Sequence, residues 1–169
     1  MFSIRYKVFF DEIYDDHELK GADGYFQIQV DNENYGLLLS EELDVFSVSV
    51  YWWFYYFLEA TELLKNEKQV YISDIETPQV WIELKKTNSD YISISKAYAN
   101  KPEGSHAVEC SNIVGITYPS WNSKPVPLED FRNELLEKSK MYAQDLQELN
   151  DESHPYILKL EFLIKKVEN

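Results

Sequence analysis

Residues 44–66 read DVFSVSVYWWFYYFLEATELLKN, and whether this stretch is strand or helix decides the fold class. Val48, Val50 and Trp52 alternate with Ser47 and Ser49 as a strand would, whereas Trp53, Phe57, Leu58, Thr61 and Leu64 recur at helical spacing, with Glu59, Glu62 and Lys65 to the outside. The helical pattern runs longer. It predicts a helix near 44–66, with Asp44 or Ser47 close to its N-cap and an end at Asn66-Glu67-Lys68. So dense an aromatic block predicts a helix lying across a sheet and buried on most sides, part of a core rather than a cofactor box. Its apolar stretch from Val45 to Leu58 is too short and too polar to span a bilayer.

Outward from this helix the chain reads as strands. Phe2, Ile4, Tyr6, Val8 and Phe10 alternate with Ser3, Arg5 and Lys7, and after an acidic turn region over 11–24, Phe26, Ile28 and Val30 alternate with Gln27 and Gln29. These two strands should form an antiparallel hairpin whose wetter face carries Arg5, Lys7, Gln27 and Gln29. Tyr35 to Leu39 is a candidate third strand. Downstream, Gln69 to Ile75, Val80 to Leu84 and Tyr91 to Ile94 are separated by turn formers, and weaker strands are expected at His106–Cys110 and Ile113–Tyr118.

The proline-rich segment 119–127 is expected to stop the sheet, since proline cannot donate to a ladder. Pro127 suits a helix start, and Leu128, Phe131, Leu135, Tyr142, Leu146 and Leu149 form one apolar stripe after it. Asn150 to Ser153 break that helix; His154-Pro155 open another, striped by Ile157, Leu160, Ile164 and Val167. The expected architecture is α+β in a single domain over residues 1–169: an antiparallel sheet of about 5–7 strands, one aromatic-rich helix, and a C-terminal αα-hairpin packed on the sheet. Residues 1–118 would form the β-rich part, 119–127 the linker and 128–169 the two helices.

Charge limits function. Thirty Asp and Glu oppose 16 Lys and Arg, a formal net charge of −14, and residues 1–66 alone hold 13 acids against 4 bases. Such a surface repels DNA, RNA and anionic lipid and steers a basic protein partner toward it. One cysteine excludes an internal disulfide, and the strand-like start with Arg5 and Lys7 does not read as a signal peptide, so a cytoplasmic address is expected.

Candidate chemistry is sparse. Asp11, Glu12, Asp15, Asp16 and Glu18 surround Tyr14 and His17, a cluster that could bind a divalent cation but whose neighbouring carboxylates are better suited to repel one another into water as an acidic patch. Asp31, Glu33, Gly36, Leu38 and Glu42 fall at positions of a calcium loop, but Tyr35 occupies a ligand position and the preceding segment is strand, so the match is read as chance. His106 and Cys110 would share a strand face about 13 Å apart at roughly 3.3 Å per residue, too far for proton transfer, which leaves a buried, inert thiol. His17 and His154 lack metal-ligand spacing. No nucleophile elbow, Walker loop or dinucleotide glycine pattern occurs, and five glycines leave little material for a phosphate cradle, so neither catalysis nor a cofactor is expected.

An acidic N-terminal hairpin, a tryptophan-bearing helix (Trp52 to Leu64), then Val70-Tyr71-Ile72-Ser73-Asp74, Val80-Trp81-Ile82-Glu83-Leu84 and Tyr91-Ile92-Ser93-Ile94-Ser95 form a layout that resembles small acidic bacterial proteins similar to the immunity proteins of polymorphic and contact-dependent toxin systems. The resemblance implies a non-catalytic inhibitor that neutralises a basic partner such as a toxin nuclease, and it assigns no residue a role. The residues expected to meet such a partner are Asp11, Glu12, Tyr14, Asp15, Asp16 and Glu18 in the acidic turn, with Tyr118 and Trp121 as aromatic anchors; for Trp121 the competing expectation is that it plugs the sheet edge. A regulatory or scaffold protein, or a metal-dependent enzyme built on residues 11–18, are the alternatives. The oligomeric state is left open.

Overall fold

In the computed structural model, which describes residues 1–10, 15, 17–41, 43 and 46–169, strand β1 (Phe2–Val8) pairs antiparallel with β2 (Asp23–Val30), and β2 pairs with β3 (Glu33–Leu37) and with the two-residue β4 (Val48–Ser49). The hairpin register sets Ile4 opposite Ile28 and Tyr6 opposite Phe26, so one face is apolar and the other carries Arg5, Lys7, Gln27 and Gln29. A second, five-stranded antiparallel sheet has the order β8-β5-β6-β7-β9, with β5 (Gln69–Ser73), β6 (Val80–Lys86), β7 (Tyr91–Tyr98), β8 (Val108–Glu109) and β9 (Lys124–Pro127). The fold is α+β and antiparallel as the sequence predicts, with the strands divided between two sheets.

Helix α1 (Val50–Leu63) lies between the sheets and touches both, together with α2 (Leu128–Leu149) and α3 (Pro155–Glu168). Its aromatic density explains why one helix can serve as the hub. Trp53 stacks on Phe26 of β2 at 5.5 Å between ring centroids, Phe54 stacks on Tyr142 of α2 at 5.0 Å, and Tyr6 of β1 meets Phe54 edge-on at 5.2 Å. The continuous core also takes Val70, Ile72, Ile82, Leu84, Ile92, Ile94 and Val126 from the second sheet and Ile157, Leu160, Ile164 and Val167 from α3. Both C-terminal stripes face this core. Among the described residues no helix is long and apolar enough to cross a membrane.

Five local expectations change. Helix α1 begins at Val50, later than predicted: Ser49, not Asp44 or Ser47, is the N-cap and accepts from the Trp52 N–H, while Asp44 lies outside the described residues. The mixed signal at 47–52 has a physical basis, since Val48 and Ser49 do pair with Gly24 and Asp23 before the helix starts. The helix also stops short of Asn66, capped at Leu64.

The proline segment does not stop the sheet. Lys124–Pro127 forms edge strand β9 beside β7, with Pro125 opposite Ser93 and Pro127 opposite Tyr91. The Leu128 N–H donates to the Asp90 carbonyl, and this phase of the ladder leaves both proline nitrogens pointing at the open edge, where no donor is needed. Residues 113–118 form no strand; a lone bridge joins Thr117 to Tyr98. Cys110 follows β8 rather than lying in it and is half-buried, not buried, while burial and the nearby carboxylates of Glu67, Glu109 and Glu59 push its thiol pKa up.

Candidate protein-binding surface

Helix α1 divides its aromatics between two faces. Phe54, Phe57 and Leu58 are buried among the sheets and α2, whereas Trp52, Tyr55, Tyr56, Glu59, Glu62 and Leu63 form a half-buried stripe at helical spacing on the other side. The stripe's rings support one another: Trp52 lies 5.5 Å from Tyr55 and 5.3 Å from Tyr56 between centroids, and Tyr55 lies 6.1 Å from Tyr56. Tyr156, exposed in the first turn of α3, extends the ridge at 6.0 Å from Trp52 and is itself backed by the His154 ring at 5.8 Å.

The ridge is held in place from below. The Tyr51 hydroxyl donates to the Tyr156 carbonyl at 2.8 Å, fixing the start of α3 against the start of α1. By contrast, neither the Tyr55 and Tyr56 hydroxyls nor the Trp52 indole N–H makes a hydrogen bond among the described residues, and none is a buried orphan. Three polar-tipped aromatics are thus fixed in position with their donors open to water, the composition of an interface hot spot. Burial, with Glu59 nearby, raises the Tyr55 and Tyr56 phenol pKa, so they remain donors near neutral pH.

Carboxylates border the ridge. Glu18 and Asp23 line a recess of about 330 Å³ whose walls include Tyr51, Trp52 and Tyr156. Glu59 continues the stripe; burial raises its pKa, with a smaller opposing contribution from the neighbouring His106. Asp15 and Glu18 are exposed, and the Asp15 N–H donates to the Glu18 carboxylate at 3.1 Å.

The other residues expected to meet a partner fall elsewhere. Asp11, Glu12, Tyr14 and Asp16 lie outside the described residues. Trp121 is 5% exposed and packed into the main core, and its carbonyl accepts from the Lys96 N–H beside β9, the placement expected of a plug at the sheet edge. Tyr118 is half-buried over the outer face of the second sheet and donates to Glu83, a carboxylate only 4% exposed. Neither aromatic joins Asp15 and Glu18. The expectation of a helix buried on most sides holds for α1, and it did not single out Trp52, Tyr55 and Tyr56 as the half-buried ones. The available signal was their chemistry: Trp and Tyr at 52, 55 and 56 lead on to Glu59 and Glu62 along one stripe, whereas purely hydrocarbon Phe54, Phe57 and Leu58 sit on the opposite one.

A second polar cluster ties the two sheets together. The Asp74 carboxylate, at the end of β5 and 7% exposed, accepts from the Tyr35 hydroxyl on β3 and from the Glu76 and Thr77 N–H groups at 2.9 and 3.2 Å. Glu76 accepts from the Ser49 N–H at 3.0 Å. Burial, followed by Asp74, pushes the Tyr35 phenol up, and Glu76 is likewise raised by burial and then by Asp74. With Asp74 so fully occupied and Tyr35 held protonated, the cluster acts as a clamp between β3, β4 and β5. Among the described residues no three His, Cys, Asp or Glu side chains converge as a metal site requires.

The chain matches no known family model, no curated protein and no solved structure.

Proposed function

We propose that the protein is a non-catalytic binding module that engages a basic protein partner through the aromatic ridge of α1 and its acidic border, in the manner of an immunity or inhibitor protein that covers a toxin domain. The observation that carries this reading is the ridge itself: Trp52, Tyr55 and Tyr56 are held by one another and by the core beneath, yet keep their polar tips free. Rigid aromatics lose little side-chain entropy on binding and supply much of the contact energy of protein interfaces. The net charge of −14 adds repulsion from nucleic acid and long-range attraction for a basic partner, such as a toxin nuclease whose surface is basic because its substrate is polyanionic.

The test is capture from native cell extract at low and high salt, using wild type beside a Trp52→Ala/Tyr56→Ala variant shown to be folded. The expected result is a basic protein retained at low salt, released at high salt, and held by the variant at least about 30-fold more weakly, the loss of roughly 2 kcal/mol typical of a hot spot. Equal retention by the variant would place the interface elsewhere. Expressing the captured partner alone then separates two readings: growth arrest relieved by co-expression is immunity, and a harmless partner is regulation or scaffolding.

A further inference from the structure

We propose that the recess bounded by Tyr51, Trp52 and Tyr156 is a cage for a single cationic side chain, and that it takes one lysine or arginine of the basic partner. The partner half of this inference rests on the binding function proposed above; the affinity of the recess for a cation does not.

The three rings stand nearly at right angles to one another. Tyr51 and Trp52 meet at 84° with centroids 5.1 Å apart, Tyr51 and Tyr156 at 72° and 5.3 Å, and Trp52 and Tyr156 at 80° and 6.0 Å. All three line the same recess of about 330 Å³, with Tyr51 at its floor and Tyr156, 40% exposed, at its mouth. Tyr51 is only 2% exposed, so Trp52 and Tyr156 supply most of the open π surface from two nearly perpendicular directions, and a cation within about 6 Å of a ring centroid is attracted by its quadrupole.

Charge selects the occupant. Glu18 and Asp23 line the same recess, and no Lys or Arg among the described residues does. The net charge of −14 favours a cation further. Tyr156 already shows the chemistry in small: Lys159, which does not line the recess, holds its Nζ 5.4 Å from that ring's centroid. The volume admits one long side chain, while the adjoining stripe of Tyr55 and Tyr56 is left to meet the surrounding partner surface.

The test uses n-butylammonium chloride, which carries the lysine head group and stem, against n-butanol of the same shape, at constant ionic strength. Binding is followed by the NMR signal of the Trp52 indole N–H, assigned through Trp52→Phe. We expect a saturating shift in the millimolar range, at least about tenfold weaker binding of butanol, a severalfold loss in Glu18→Gln, near abolition in Tyr156→Leu, and retention in Tyr156→Phe, which keeps the ring. No saturable shift, an equal response to butanol, or indifference to Tyr156→Leu would overturn the cage. If butylammonium fails while polylysine still binds and that binding needs Trp52 and Tyr56, the cage falls and the ridge stands. If butylammonium binds as expected and no basic partner is captured, the cage stands and the protein-binding reading falls.

Discussion

Two buried polar side chains, Glu83 and Ser139, and one at the surface, Glu76, show how environment, not residue type, sets what a group contributes. Glu83 lies on the outer face of the second sheet, opposite Tyr71 on β5 and Ser95 on β7, and takes a hydrogen bond from Tyr118. Tyr118→Phe should therefore cost about 1–3 kcal/mol in urea denaturation, because a buried carboxylate loses a donor that water cannot replace. Pairing Tyr118→Phe with Glu83→Gln should recover part of that cost, since a neutral amide is cheaper to bury. Ser139 is the reverse case: fully buried in α2, its hydroxyl has no partner among the described residues, so Ser139→Ala should be neutral or stabilising by up to about 1 kcal/mol, and a clear destabilisation would contradict this. Glu76 gives a pH signature. Its folded pKa lies above the ordinary 4.5, so the native state holds the proton more tightly than the unfolded chain, and the stability this supplies is present below 4.5 and lost as pH rises through the raised value. The difference in stability between wild type and Glu76→Gln, measured from pH 4 upward, should move against the wild type across that window.

At the scale of elements, the first sheet depends on close approach of backbone to backbone. A Cβ on Gly36 of β3 would overlap the Phe26 carbonyl oxygen, and φ there is +111°, a value that side-chain-bearing residues avoid. Gly36→Ala should cost on the order of 2–4 kcal/mol by thermal or chemical denaturation. Gly104→Ala in the open loop, where a Cβ meets nothing within 4 Å, should cost only the conformational penalty of about 1–2 kcal/mol. The hairpin, α1, β5 to β7 and the two C-terminal helices were legible because each repeats its signal for several residues with one buried face. The start of α1 was not, because Val48 and Ser49 pair with β2 and then hand over to the helix within one residue. Strand β9 was illegible for a different reason. Proline forbids a strand only where its missing N–H would face a neighbour, and which way it faces is set by a register that the local sequence does not contain.

For the whole molecule, burial of phenols links stability to alkaline pH. Tyr6, Tyr35, Tyr51 and Tyr118 all have their pKa raised above the ordinary 10.0, chiefly by burial. The unfolded chain would release those protons near pH 10 while the native fold retains them, so the stability they supply is full below about pH 10 and lost as pH rises beyond it. The melting temperature should fall steeply between pH 10 and 11, and the phenolate absorbance should rise in two stages, the exposed tyrosines first and the buried ones together with unfolding. A single stage near pH 10 with no loss of helicity would contradict the packing described for these rings.

The α+β class, the antiparallel strands, the order of the longer elements and the acidic surface could be read from the chain alone, because periodicity, turn residues and formal charge are local properties that survive without neighbours. Tertiary packing alone set the division of the strands into two sheets around α1, the plugging role of Trp121, the pairing of Tyr118 with Glu83, and the half-burial of Trp52, Tyr55 and Tyr56 at the margin of the core. An aromatic stripe on a helix is buried or presented according to what the rest of the chain brings against it. Here the sheets, α2 and α3, the last joined to α1 from Tyr51–Tyr156 at one end to Lys65–Lys166 at the other, cover α1 without closing over Trp52, Tyr55 and Tyr56.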